Sequence, residues 1–242
     1  MAAIHLTDRT DAGRAGRFGD VSRALAQAAL CALEAPAVLA TQPWRWLIDS
    51  DWAALDVDRS RVGPDAGGDD RLMTISCGAA LHHATVALAA DGVGVEVVRF
   101  PWPEARDCVA VMRYTGPVDV LARARQLRRA IAVRGADRRS IGGEPVAAAE
   151  LERLGQAAAA VGAALYPLPQ RAVIAAGGAG PRDWLATGEA ISAVLLNAAA
   201  DGLATEPVTA GSVTVPRALA RRLPAGAGHP AAVVRFGVAE RS

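Results

Sequence analysis

The sequence contains no lysine: every one of its 26 Lys+Arg residues is an arginine. This absence rules out Schiff-base chemistry, a P-loop phosphate lysine and a Ser-Lys nucleophile pair. Codon bias in a GC-rich genome would explain it, and the alanine load as well, so arginine abundance by itself carries no function. Cysteine is also scarce. Cys31, Cys77 and Cys108 are an odd number without CxxC spacing, which indicates neither a disulfide framework nor a zinc knuckle. They read as small buried hydrophobes. No apolar run approaches the ~18 residues of a membrane helix. The first stretch, "MAAIHLTDRTDAGRAGRFGD", has charges and glycines where a secretory leader would be apolar. A cytoplasmic protein with no membrane partner is the expectation. There is no GxSxG elbow, no HExxH and no close carboxylate pair with an obvious partner.

What is present describes a globular protein of one or two domains: 242 residues, 52% hydrophobic, with a formal net charge of +1. Its organisation shows as an internal repeat. At a constant offset of 110 residues, "SCGAALHHATVALAADGVGVEVV" (76–98) aligns with "ATGEAISAVLLNAAADGLATEPV" (186–208), and Gly78 matches Gly188, Asp91-Gly92 match Asp201-Gly202, and Glu96 matches Glu206. Each copy reads as a helix with apolar residues at 3.6 spacing, closed by a glycine C-cap. Each is followed by a β-branched strand, "VAVMRY" (109–114) and "AVVRF" (232–236), which makes Arg113 correspond to Arg235. "ALDVD", "VEVVRF" and "RAVIAA" read as further strands, and Gly116-Pro117 as a turn between the copies. The expected fold is α+β, two pseudo-symmetric halves in one chain at 21–117 and 118–242 behind a flexible tail at 1–20. The Gly/Asp-rich stretch from Arg59 to Arg71 also reads as mobile.

Seven arginines lie between Arg123 and Arg139 in "ARARQLRRAIAVRGADRRS" (122–140). A nucleic-acid patch is one reading, but near-neutral total charge and missing aromatics weigh against it. Leu121, Ala124, Leu127 and Ile131 form an apolar helical stripe, leaving Arg123, Arg125 and Arg129 on a solvated face. That leaves Arg134, Arg138 and Arg139, grouped around Gly135 in an expected loop. Arginine forks so grouped suit a phosphate or carboxylate, because bidentate donation fixes position as well as charge. Other motifs are weaker. "IAAGGAGPRDW" lacks the third glycine of a dinucleotide loop and has Pro181 where the helix should open, so it reads as a turn. His82 and His83, adjacent on a helix, point apart and make a poor metal set with Cys77. His5 falls in the tail, and His229 in a Gly/Pro loop. The tryptophans Trp44, Trp46, Trp52, Trp102 and Trp184 read as core.

Five strings, "APAVLATQPWRW", "ISCGAALHHATVALAADG", "AIAVRGADRRS", "WLATGEAISAVLLNAAADGLATEPV" and "GHPAAVVRFG", appear in an order that resembles the nitroreductase superfamily, and most closely its Acg-type branch of two fused nitroreductase-like halves. The resemblance runs from about Ala24 to Gly237. It implies a nitroreductase-like α+β sandwich with FMN between the halves, NAD(P)H as hydride donor, and a nitro or quinone-type acceptor. It places the phosphate on Arg134, Arg138 and Arg139 with Arg235 approaching, and the flavin ring against Pro36, Ala37, Thr41, Gln42, Pro43 and Trp44. Glu206 and Pro207 fall where family members bring backbone groups to the ring edge. It names no catalytic side chain.

The sequence departs from that pattern. Ala37 and Ala40 replace a serine and an asparagine that contact flavin, Leu39 replaces a histidine common in the branch, and Ala136 replaces a serine or threonine of the arginine motif. Each lost hydrogen bond is worth roughly 0.5 to 1.5 kcal/mol. The chain is also shorter than that branch leads one to expect, as a trimmed lid would make it. The alternative is a degenerate, non-catalytic relative that sequesters flavin or binds another phosphorylated ligand or a partner. Either way a small-molecule ligand is expected, on a monomer that is an intramolecular pseudo-dimer or on a homodimer.

Overall fold

Two long helices, α2 (Asp70–Ala90) and α5 (Pro181–Ala200), cross at the centre, and they are the two copies of the repeat. The computed structural model describes residues 3–6, 15–39, 41–62 and 69–240. The crossing is close because glycine stands on both sides of it. A Cβ on Gly78 would lie 2.1 Å from the Leu185 carbonyl oxygen, and one on Gly188 would lie 1.8 Å from that of Ile75. The two contacts are reciprocal: each partner pair maps onto the other through the offset of 110 residues. Both helices end as the sequence suggests, at Asp91 and Asp201, with Gly92 (φ 73°) and Gly202 (φ 84°) in the left-handed region that glycine adopts without strain.

The strands separate into two sheets. β1 (Ala3–Leu6), β2 (Trp44–Ile48), β3 (Trp52–Val57), β4 (Val93–Arg99) and β5 (Cys108–Pro117) form one, in the order β1-β2-β3-β5-β4. β6 (Ala164–Leu168), β7 (Arg171–Ala176), β8 (Ala204–Thr205) and β9 (His229–Gly237) form the other, in the order β6-β7-β9-β8. α1 (Ala15–Cys31) packs against α2; α3 (Ala122–Ala136) lies on α2 and α5; α4 (Ala148–Ala159) lies on α5 and β6; and the short α6 (Arg217–Ala220) follows a 3-10 turn at Ala210–Val213. The fold therefore mixes helix and sheet, as expected. The first core gathers around Trp44, Trp46, Leu81 and Met112, and the second around Leu154, Ile174, Leu195 and Phe236.

Several expectations change. The segment read as a tail through Asp20 contributes β1, which pairs parallel with β2, and the first turns of α1. The stretch from Arg59 contains a 3-10 turn at Arg59–Arg61, and α2 opens at Asp70 with Asp69 accepting from Arg71 N and Leu72 N; residues 63–68 lie outside the described residues. Pro181 does open its helix, at the N-terminal position where a missing N–H costs nothing. The Asp183 carboxylate accepts from Gly178 N (2.9 Å) and Gly180 N (3.0 Å), so the glycine turn before α5 already holds an anion of its own. Arg123 is not on a solvated face: it pairs with Asp201 at 2.7 Å and donates to Asn197. Cys31, Cys77 and Cys108 are buried thiols, as read. Trp44 and Trp46 are fully buried, whereas Trp102 is 40% exposed.

The glycines differ sharply in what they tolerate. Gly188→Ala forces a methyl into backbone and should cost about 3 kcal/mol, the upper part of the overpacking range. Gly155→Ala, in α4 with nothing within 4 Å of the added carbon, should stabilise by about 0.4 to 1 kcal/mol. Urea denaturation of the two variants checks both signs.

Candidate functional site

The residues expected to hold a ligand fall into two groups. The first lies where the chain leaves α1. After a 3-10 turn at Ala32–Glu34, residues 35–43 run as an irregular segment into β2. Gln42 is held at φ 50°, a strained conformation for a non-glycine residue, and its Nε2 donates to Leu33 O at 2.7 Å. Arg134, in the last turn of α3 rather than in a loop, donates to the next carbonyl, Glu34 O. Two adjacent carbonyls thus take one side chain from each stretch, which joins the start of "APAVLATQPW" to the arginine motif. Val38 N donates to Ser76 Oγ at 3.1 Å and fixes the segment on α2. Pro36 is buried, Ala37 half-buried and Thr41 exposed. Ala40 lies outside the described residues.

The arginine forks do not converge. Arg138 donates to Gly135 O and Asp137 O at 3.1 and 2.9 Å. Arg139 forms a bidentate pair with Asp137 and reaches Gly202 O and Leu203 O. That pairing holds the Asp137 carboxyl below its ordinary range. Arg134 keeps uncommitted capacity on its fork: its Nε is buried and has no hydrogen-bond partner among the described residues. Beside it, between α1 and α3, opens a cavity of about 500 Å³, lined by Leu30, Cys31, Glu34, Arg128, Ile131 and Ala136 among others. The Arg128 guanidinium makes no ion pair or hydrogen bond among the described residues. The cavity takes one wall from the first part of the chain and one from the second.

The second group is Glu206, Pro207 and Arg235. They line a separate cavity of about 250 Å³ on the far side of the second sheet, together with Arg171, which the sequence reading did not single out. Arg235 pairs with Glu206 at 2.8 Å. None of Pro36, Ala37, Thr41, Gln42, Arg134, Arg138 and Arg139 lines that cavity.

A third cluster lies where the two long helices cross. His82 and His83 do not diverge: the Nδ1 atoms of both reach Ser192 Oγ, at 2.7 and 2.8 Å. His83 Nδ1 also faces Ala79 O at 3.2 Å, which calls for the N–H on that nitrogen. Ser192 then donates to His82 Nδ1, and His83 Nε2 is left as a buried acceptor without a partner among the described residues. Burial lowers His82 to about 4. It lowers His83 as well, helped by the nearby Arg134 guanidinium. The repeat held the signal: His82 and Ser192 are 110 residues apart, so they occupy the same position in the two copies and meet where the helices cross.

No family model matches the chain. It is similar to an uncharacterized protein of Mycobacterium tuberculosis (strain ATCC 25618 / H37Rv), 37% identical over 119 residues, 47% of this chain and 34% of that one. It is similar to the same strain's "Putative NAD(P)H nitroreductase acg", 36% identical over 108 residues, 44% of this chain and 32% of the relative. Another putative NAD(P)H nitroreductase of that strain is 40% identical over 79 residues, 31% of this chain and 22% of the relative. The matched part spans about a third or less of the length of these relatives. These similarities support a nitroreductase-like family.

The histidine pair generates a pH dependence. Unfolded histidine titrates near 6.5, whereas the folded values are lower, so between those limits the unfolded chain binds protons that the folded chain does not. The contribution is complete above about pH 7.5 and is lost as pH falls through 6.5 toward 4, at up to about 1.4 kcal/mol per unit for each histidine. Urea midpoints at pH 7.5, 6 and 5 should fall in that order, and His82→Gln/His83→Gln should remove most of the slope.

Proposed function

We propose that the chain is a nitroreductase-like NAD(P)H oxidoreductase that binds FMN at the junction of α1 and α3. The observation that carries this reading is the cavity of about 500 Å³ between the two parts of the chain, a volume within the usual range for cofactor sites. Arg128 on its lining has a guanidinium with donors to spare, and Arg134, in the adjacent turn of α3, keeps an Nε without a partner among the described residues. The similarity to putative NAD(P)H nitroreductases supplies the chemistry. When bound, FMN would accept hydride from NAD(P)H and pass electrons to a nitro or quinone-type acceptor. The protein's own part is to hold and orient. Arg134 and Arg128 supply the positive charge a phosphate needs, and Arg138 can join them by giving up its two exposed carbonyl contacts. Gln42, through its bond to Leu33 O, ties the segment before Trp44 to the turn that carries Glu34 on the cavity's first wall.

In this reading the repeat is a fusion of two nitroreductase-like halves, 21–117 and 118–242. The reciprocal helix crossing and the one sheet on each side favour it. Oligomeric state follows from it only as monomer or homodimer.

A second reading has its own support. Gln42, Arg138 and Arg139 already bond within the chain, and Ala37 and Ala136 offer no side-chain donor. A protein so arranged would store flavin or bind another phosphorylated ligand without turning it over.

The test is an FMN titration followed by fluorescence and visible absorption, with NADH and NADPH oxidation assayed on the loaded protein. Flavin should be retained, and Arg134→Ala/Arg138→Ala should lower its affinity at least tenfold, since two charge-assisted bonds are lost. Unchanged affinity in the double variant would remove the flavin site from α3. Retained flavin without nicotinamide oxidation would select the second reading.

A further inference from the structure

The second sheet has a face that the first does not reproduce. Ala172 and Ile174 of β7, with Ala232, Val234 and Phe236 of β9, pack into the core under α5. The alternate residues, Arg171 and Val173 of β7 with Val233 and Arg235 of β9, project from the other side. In the antiparallel register Arg171 stands directly opposite Arg235, so two guanidinium groups leave neighbouring positions on one face. Like charges so placed repel. The corresponding arginine of the first sheet is differently placed. Arg113 stands between Trp52 and Glu96, an aromatic on one side and a counter-charge on the other.

Only part of the charge in the second sheet is answered. Both Glu206 oxygens lie on one terminal nitrogen of Arg235, at 2.8 and 3.0 Å. The Arg171 guanidinium has no hydrogen-bond or ion-pair partner among the described residues. One positive charge is therefore left over, at the rim of the cavity of about 250 Å³. The cavity is roofed by residues 207–219: Pro207, Val208 and Leu219 supply apolar wall, and Ser212 and Thr214 supply hydroxyls. The roof is fixed from outside, because Arg71 at the start of α2 donates to Val213 O and to Ala231 O. The pocket is thus preformed.

We infer that this cavity binds a small organic monoanion, a carboxylate on an apolar body. One uncompensated charge suits a monoanion. The planar fork of Arg171 suits a planar carboxylate, which it can hold through two parallel bonds. The volume equals about eight waters at roughly 30 Å³ each, room for a single-ring or short-chain acid and too little for a nucleotide. The site goes beyond the flavin reading and stands without it, since it shares no lining residue with the cavity beside α3.

Isothermal titration of the full chain with sodium benzoate, benzamide and inorganic phosphate tests the assignment. Benzoate should bind, benzamide at least tenfold more weakly, and phosphate more weakly than benzoate. Arg171→Gln should lower benzoate affinity at least tenfold. Glu206→Gln, which frees Arg235, should raise it several-fold. Circular dichroism reports whether each variant folds, and if Arg171→Gln does not, Glu206→Gln decides alone. No benzoate binding to the wild type overturns the proposal, as does unchanged affinity in a folded Arg171→Gln or no gain in Glu206→Gln. Phosphate binding tighter than benzoate overturns the carboxylate assignment. Flavin is read by its own spectrum, so either site can fail while the other holds.

Discussion

The contact on which the rest of the molecule depends is the crossing of α2 and α5 at Gly78 and Gly188. Backbone meets backbone there, with the carbonyls of Leu185 and Ile75 lying where a Cβ would be. Helices that close leave no room for intervening side chains, so everything just beyond the crossing is forced into contact. This brings His82 and His83 onto Ser192. It also lets Arg99, at the end of β4, form a bidentate pair with the buried carboxylate of Glu189 on α5. Desolvation raises the Glu189 carboxyl and the arginine opposes it. The first sheet is thereby fastened to the helix that carries the second.

With lysine absent, every flexible cation in the chain is a planar five-donor fork. The structure uses this geometry mainly to satisfy itself. Asp201, the cap of α5, is held by Arg123 from α3 and Arg153 from α4. Arg139 joins the loop after α3 to the turn after α5 through Asp137, Gly202 O and Leu203 O. Arg71 pins the 3-10 turn at Ala210–Val213. An arginine committed to two or three internal acceptors is a poor ligand donor, because a ligand must displace bonds already made. Dense arginine sequence is therefore a weak guide to a binding site here. What matters is which forks at a cavity stay uncommitted, and among the described residues Arg128 and Arg171 do.

Part of this was legible in the residues. The repeat, its capping glycines and the strands at "VAVMRY", "RAVIAA" and "AVVRF" follow from periodicity and punctuation, both of which are local. The strand β2 was not legible, because "WRWLI" begins inside a string that looks like a polar site; its tryptophans read as core and are, but only pairing with β1 and β3 makes the stretch a strand. The arginine motif was misread in a similar way. Helix propensity carries α3 through Arg134 to Ala136, and Gly135 is no breaker this close to the end. Nor could any reading along the chain show that Arg171 opposes Arg235, since cross-strand register depends on which strands pair.

The repeat nevertheless separates structural from chemical positions, by where its two copies agree. Gly78 with Gly188 and Asp91-Gly92 with Asp201-Gly202 are the same in both, and each has a backbone reason to be. Where equivalent places differ, side-chain chemistry is concentrated. His82 answers Ser192 across the crossing, and the strand beside Arg113 offers Trp52 while the strand beside Arg235 offers Arg171. A duplicated scaffold needs its backbone contacts twice, so those positions resist change in both copies. It needs a ligand site only once, so its other positions can diverge without cost to the fold. Asymmetry between the copies is then a better guide to function in this chain than the density of charge, and it points to the outer face of β7 and β9 and to the histidine pair beside Arg134.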